Sequence, residues 1–128
     1  MQRVLIVEDD VDTREVLTDL LTDEGFEVRA FGDGHAVLGH LARDPDIDVL
    51  VVDLHLPGLS GPALLEAIAG LSARLAAVPA VAITGDPLHP HPERAAALLL
   101  KPFNVSRLVV TIRDAMSSAR FAPTSVAC

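Results

Sequence analysis

Acidic side chains follow two apolar segments of the sequence, at the point where each segment ends. Residues 4–7 run into Glu8 and Asp9, and residues 49–52 run into Asp53. Aliphatic runs without alternating polar residues are typical of strands that are covered on both faces. Several carboxylates in one place repel one another unless a cation lies among them. These residues therefore predict a divalent-metal site with one carboxylate left to do chemistry.

Strands and helices alternate along the whole chain. Such repeated units are typical of a parallel sheet with right-handed crossovers and helices on both faces. We therefore expect an α/β, flavodoxin-like (βα)5 fold with a doubly wound parallel sheet, and its strand order would be 2-1-3-4-5. Apolar segments predict strands at residues 4–7, 26–31, 47–52, 78–83 and 98–100.

Capping residues and apolar stripes mark the helices between these strands. Gly25 is placed to end the first helix, Ser60 to begin the third, and Asn104 to begin the last. Apolar residues at helical spacing predict the buried stripe of the third helix, at Leu64, Leu65, Ile68 and Leu71.

The predicted topology gathers the polar strand ends in one cleft. Ligands bind such sheets beyond the carboxyl ends of the strands, where the strand order reverses. Thr84 ends the fourth strand and Lys101 follows the fifth, so both would join the carboxylates at this edge. Hard carboxylate oxygens suit Mg²⁺, while an ammonium group and a hydroxyl group suit phosphoryl oxygens. The cleft therefore predicts a Mg²⁺ site beside a phosphoryl site.

From Arg3 to about Ser118 the chain resembles the receiver domain of two-component response regulators. The resemblance implies that a histidine kinase or a phosphotransfer protein phosphorylates Asp53 as an acyl phosphate. It also implies that Thr84 and Lys101 contact the phosphoryl oxygens and that the Lys101–Pro102 bond is cis. The motifs that carry it are residues 5–10 with Arg14, residues 52–61, residues 82–85 and residues 101–103.

The same resemblance implies a ligand set for Mg²⁺. Asp9 would bind the ion directly and Glu8 largely through water, and Asp53 and the backbone carbonyl of His55 would be further ligands. The domain would catalyse its own phosphorylation and dephosphorylation, and would otherwise not be an enzyme. Residues two positions after Asp53 and Thr84 guard the water's approach in this family, and here they are His55 and Asp86.

Two departures from the family pattern make the output face atypical. Lys101 follows Thr84 more closely than is usual, and the segment between them contains three prolines at residues 87, 90 and 92. Because proline is excluded from helix interiors, we expect the helix between the fourth and fifth strands to be missing or reduced to a turn or two at residues 93–97. Leu98 stands where the family usually has an aromatic switch residue.

Charge and composition indicate the partners and the location of the protein. The net charge of −8 argues against nucleic acid or an anionic membrane as a partner of this domain. The only cysteine is Cys128, and no apolar stretch approaches the ~20 residues of a membrane span, so we expect a cytoplasmic protein. We assign residues 1–118 to the receiver domain and residues 119–128 to a flexible tail. The whole chain would be a stand-alone regulator, or a piece of a longer regulator or of a hybrid kinase.

Three other readings remain open. A degenerate receiver would act only as a protein-interaction scaffold. Asp10 and Asp12 loosely resemble the nucleophile motif of haloacid-dehalogenase-type phosphatases, but Arg14 stands where Thr or Val is expected. A flavodoxin-like carrier would need a phosphate loop without these acidic residues.

His89 and His91 lack an evident third ligand, which favours a solvated loop over a metal site.

Overall fold

The computed structural model describes residues 1–120, with residues 119 and 120 described by their backbone alone. Five parallel strands form a sheet in the order β2-β1-β3-β4-β5, which confirms the predicted doubly wound α/β fold. The strands are β1 (Arg3–Val7), β2 (Glu27–Phe31), β3 (Val49–Asp53), β4 (Ala80–Thr84) and β5 (Ala97–Leu100). The helices are α1 (Val11–Asp23), α2 (Gly34–Arg43), α3 (Gly61–Leu71), α4 (Ala73–Ala76) and α5 (Val105–Arg120).

Helices cover the sheet on both faces. One core cluster joins α2, α3 and α4 to one face of the sheet, and a second joins α1 and α5 to the other. Every residue of β3 and β4 is buried, as expected for central strands between two helical layers. The fold thereby holds the carboxyl ends of β1, β3 and β4 in fixed register at one edge.

The predicted helix signals are confirmed at three ends. The Ser60 hydroxyl accepts a hydrogen bond from the amide of Ala63, and the Asn104 side chain accepts one from the amide of Arg107. Gly25 follows α1 with a φ of +96°, a conformation that favours glycine. The stripe on α3 is correct at three positions, but Leu71 is 41 % exposed because α3 ends there and the chain turns into the short α4.

No helix forms between β4 and β5, as the prolines predicted. Residues 85–96 are all described, and they consist of bends, turns and irregular backbone. Ala95 is the residue of this segment that joins the α2–α3 core cluster, and Leu98 of β5 packs partly buried against the same cluster. Position 98 therefore gives this cluster an aliphatic contact.

The described helices include none that is both long and apolar enough to cross a membrane. The predicted flexible tail falls largely outside the described residues, since α5 is followed to Arg120 and residues 121–128 are not described.

Candidate functional site

Three carboxylates meet where β1 and β3 end. Val7 pairs with Val52 in the sheet, so the residues that follow each strand come side by side. Glu8, Asp9 and Asp53 each place one carboxylate oxygen within 4.8 Å of the others. Glu8 and Asp53 are buried, whereas Asp9 is exposed at the rim of the cleft. The predicted acidic cluster is therefore present, with two inner carboxylates and one outer carboxylate.

Lys101 reaches into this cluster from the end of β5. Its Nζ lies 2.9 Å from Asp53 Oδ2 and 3.4 Å from Glu8 Oε2, so one ammonium group contacts both buried carboxylates. Its backbone amide donates to the carbonyl oxygen of Thr84 at 2.7 Å, and the peptide bond to Pro102 is cis. Lys101 is also the only lysine in the chain. The side chain that contacts the two carboxylates is thus a compact ammonium group, whereas every other Lys or Arg position in the chain is an arginine.

Burial and mutual contact separate the acidities of these groups. Burial raises the pKa of Glu8 to about 7, and hydrogen bonding and repulsion from Asp53 act in the same direction. Burial alone would also raise the pKa of Asp53, but hydrogen bonds with Glu8, Lys101 and the His55 amide outweigh it and lower that pKa. Burial opposes the charge on Lys101, yet Asp53 and then Glu8 raise its pKa above the usual value. Asp53 therefore stays ionised while Glu8 holds the proton more tightly.

The turn after β3 fixes the Asp53 carboxylate in place. The backbone amide of His55 donates to Asp53 Oδ1 at 2.8 Å, so each carboxylate oxygen has its own donor. Gly61 closes the turn, with its amide directed at the carbonyl of Leu54. A Cβ at Gly61 would lie 2.5 Å from the Leu54 Cα atom, so only glycine allows this approach.

Thr84 lies at the end of β4 and is buried, but its hydroxyl group faces the β4–β5 segment. Thr84 Oγ1 accepts a hydrogen bond from the Asp86 amide at 3.0 Å and lies 2.8 Å from His55 Nε2. Among the described contacts, none joins this hydroxyl to Asp53, Glu8 or the Lys101 ammonium group. Thr84 is therefore at the predicted edge, with its hydroxyl engaged elsewhere.

Arg14 belongs to the site, although its place in a motif is all that marked it in the sequence analysis. Its Nη1 donates to the backbone carbonyl of Glu8 at 2.8 Å. A Cβ at Gly32 would overlap the Arg14 guanidinium group, so the missing side chain leaves room for it. The spacing of Arg14 one helical turn after Asp10 is the only sequence signal that it points back toward the end of β1.

The donor set fits a hard divalent cation. Carboxylate oxygens at this spacing match the ligands that Mg²⁺ prefers, and the exposed Asp9 leaves part of the coordination sphere to water. His89 and His91 form no comparable cluster within the described residues, since His91 Nε2 and His89 Nδ1 each lie 2.7 Å from a backbone carbonyl oxygen. The reading of these two histidines as loop residues is consistent with that geometry.

A family model and individual relatives both relate this chain to response regulators. The family model of the response regulator receiver domain matches residues 4–113. The DNA-binding response regulator MtrA of Mycobacterium tuberculosis (strain ATCC 25618 / H37Rv) is 32% identical over 117 residues, covering 88% of this chain and 49% of that protein. The sensory/regulatory protein RpfC of Xanthomonas campestris pv. campestris is 31% identical over 125 residues, covering 92% of this chain and 17% of that protein.

Solved structures agree with the family match. The chemotaxis protein CheY4 of Vibrio cholerae superimposes with a TM-score of 0.80 at 26% identity, covering 90% of this chain and 98% of that chain. The chain spans about half the length of MtrA and less of RpfC. The chain belongs to the response regulator receiver domain family of two-component signalling. Its part in a phosphorelay follows from that membership.

Proposed function

We propose that residues 1–118 form a receiver that accepts a phosphoryl group on Asp53 and changes conformation to signal. The observation that carries the proposal is the burial and hydrogen bonding of the Asp53 carboxylate. It is 4 % exposed, lies at the carboxyl end of a central strand, and is held by one donor on each oxygen. A buried carboxylate kept ionised beside a cation is a nucleophile positioned for transfer rather than a group of the core.

The transfer requires little covalent assistance. A carboxylate oxygen of Asp53 attacks phosphorus in line, the new O–P bond forms, and the P–N bond to the phosphohistidine of the donor breaks. The departing imidazole nitrogen keeps the electron pair, and the donor leaves as neutral histidine because its other ring nitrogen carries a proton. Lys101 Nζ, already 2.9 Å from Asp53, can follow the charge onto the phosphoryl oxygens. The lowered pKa of Asp53 keeps the attacking group ionised.

Mg²⁺ is the proposed cofactor, held by Glu8, Asp9, Asp53 and the backbone carbonyl of His55. When bound it would neutralise charge shared between the carboxylates and the phosphoryl oxygens. Arg14 supports this arrangement by holding the Glu8 carbonyl, and thereby the path of the chain that follows β1. With Mg²⁺ bound, Lys101 would be free to leave Glu8 for the phosphoryl group.

The domain would catalyse its own phosphorylation and, through attack by water on the acyl phosphate, its own reset. Receiver domains act with histidine kinases or phosphotransfer proteins, and one of these is the proposed donor. We place this exchange in the cytoplasm and leave the downstream partner as a protein, because a net charge of −8 disfavours nucleic acid contact by this domain. The output face is proposed to be atypical, because the β4–β5 helix is missing and Leu98 is aliphatic.

The phosphatase alternative is disfavoured by the position of Asp10. Asp10 is the N-cap of α1 and accepts a hydrogen bond from the Thr13 amide at 2.9 Å. A hydrogen bond from the Thr13 hydroxyl, and then the one from its amide, lower the pKa of Asp10. A carboxylate bound to its own helix in this way caps the helix and is not directed into the cleft.

Intact-mass measurement after incubation with Mg²⁺ and acetyl phosphate tests the proposal. We expect one added phosphoryl group on the wild-type protein, and none on Asp53→Asn or when EDTA is present. Wild-type protein that stays unmodified, and that also fails to bind beryllofluoride, would favour the scaffold alternative instead.

A further inference from the structure

The Thr84 hydroxyl is held by two groups, and neither of them is the Asp53 carboxylate. One is the Asp86 amide at 3.0 Å, and the other is His55 Nε2 at 2.8 Å. Thr84 is 1 % exposed, so its hydroxyl has no bulk water to replace these partners. A move of Oγ1 toward a phosphoryl group on Asp53 would disturb these two contacts.

His89 packs against His55, the residue whose ring contacts the Thr84 hydroxyl. Its ring meets the ring of His55 edge to face, with centroids 5.5 Å apart and an interplanar angle of 89°. His89 Nδ1 lies 2.7 Å from the carbonyl oxygen of Pro90, which can only accept, so Nδ1 carries a proton. This bond and the ring contact together fix the orientation of the His89 side chain.

Asp86 closes the turn that brings His89 to His55. Its side chain accepts from the Leu88 amide at 2.9 Å, its backbone carbonyl accepts from the His89 amide at 3.1 Å, and its own amide donates to Thr84. The turn therefore couples Thr84 to His89 by two routes, one along the backbone and one through the imidazole of His55. Prolines on both sides, at residues 87 and 90, restrict the backbone of the segment.

We propose that His55 and His89 form a histidine pair that holds Thr84 in its resting position and releases it when Asp53 is phosphorylated. This inference rests on the proposed function, and it names His89 as a positioning residue that acts through His55. The phosphoryl group takes the Thr84 hydroxyl, His55 loses its partner, and the ring contact with His89 loosens. The change then reaches residues 86–92, which stand where a helix is missing.

The histidine pair gives this chain a readout that needs no aromatic residue at position 98. Leu88, next to His89 in the sequence, is 87 % exposed. A rearrangement of His89 would therefore move an apolar side chain that lies on the surface. The signal would thus leave through the β4–β5 segment rather than through a helix face.

The test combines imidazole NMR with rates of phosphorylation. The chain has five histidines, so their ring signals are few enough to assign by substitution. We expect Mg²⁺ with beryllofluoride to shift the ring signals of both His55 and His89 in the wild-type protein. Asp53→Asn should show no such shift.

Substitutions at His89 separate positioning from folding. If the pair restrains Thr84 with the strength of one hydrogen bond, His89→Ala should speed phosphorylation by acetyl phosphate roughly fivefold. It should also shift the His55 ring signals of the resting protein. His89→Phe, which keeps an aromatic ring against His55, should restore the slower rate. His91→Ala is the matched control in the same segment and should change neither quantity.

The mass measurement distinguishes the two ways in which the account could fail. Phosphorylated protein whose His55 and His89 signals stay unmoved would overturn the histidine pair and leave the proposed function intact. Equal rates for His89→Ala and His91→Ala would do the same. Wild-type protein that takes up no phosphoryl group would overturn both together.

Discussion

The ammonium group of Lys101 lies between the carboxylates of Asp53 and Glu8, 2.9 Å from one and 3.4 Å from the other. The two carboxylates share this one cation because the ends of β1, β3 and β5 converge at the same edge of the sheet. Both buried carboxylates therefore have the same ammonium group as their ion-pair partner. Lys101 is also the cation that we propose to follow charge onto an incoming phosphoryl group.

Loss of this cation should slow phosphorylation more than it disturbs the fold. Lys101→Met removes a positioned charge from the transferring group, so we expect the rate with acetyl phosphate to fall on the order of a hundredfold. Time courses of intact mass would measure it. Arg94→Met is the matched control, because Arg94 forms a solvent-exposed ion pair with Glu66 and not with the buried carboxylates. Similar rates for the two variants would contradict the role given to Lys101.

The raised pKa of Glu8 should make the metal-free domain less stable as the pH rises. Glu8 titrates near 4.5 when unfolded and at about 7 when folded, so the folded state binds the extra proton between these values. Its contribution to stability is complete below the unfolded pKa and is lost as the pH rises through about 7. Urea unfolding in EDTA, followed by circular dichroism at about pH 6 and about pH 8, would measure the loss. In Glu8→Gln this part of the pH dependence should disappear, and its persistence would assign it to another group.

Two glycines should respond oppositely to the same substitution. A Cβ at Gly61 would lie 2.8 Å from the Asp53 carbonyl oxygen and closer still to Leu54, so Gly61→Ala should destabilise the fold by about 1–3 kcal/mol. Gly70 lies in α3 with nothing within 4 Å of such a Cβ, so Gly70→Ala should stabilise it by about 0.5–1 kcal/mol. Chemical denaturation would give both values. Equal effects would mean that the turn after β3 is looser than described.

Asp10 and Asp33 provide a test of the phosphatase alternative. Each caps a helix, Asp10 for α1 and Asp33 for α2, so alanine at either position should lower the melting temperature modestly. Neither substitution should prevent phosphorylation by acetyl phosphate, because neither residue is proposed to be the acceptor. Loss of phosphorylation in Asp10→Ala alone would bring Asp10 back as a nucleophile.

The site could be predicted from the sequence because it depends on where strands end. In a parallel sheet the carboxyl ends of the strands lie at one edge, so Asp53, Thr84 and Lys101 could be placed together before any contact was known. The missing helix between β4 and β5 was equally predictable, because the prolines at residues 87, 90 and 92 would fall in its interior, where proline removes a hydrogen bond and clashes with the preceding turn.

Contacts that depend on the path of a loop could not be predicted in this way. The contact between the rings of His55 and His89 follows from a turn closed by Asp86, and neither periodicity nor composition encodes that path. The exposure of Leu71 was missed for a related reason. Helical spacing identifies an apolar stripe, but the end of α3 decides whether its last residue is covered.

Locating the phosphoryl group tests the central claim most directly. Borohydride reduces an aspartyl phosphate to homoserine, which marks the acceptor permanently for peptide mass spectrometry. After treatment with Mg²⁺ and acetyl phosphate, we predict homoserine at position 53 and unmodified aspartate at positions 9 and 10. Homoserine at either of those positions, or at none of the three in protein that carries the added mass, would contradict the account.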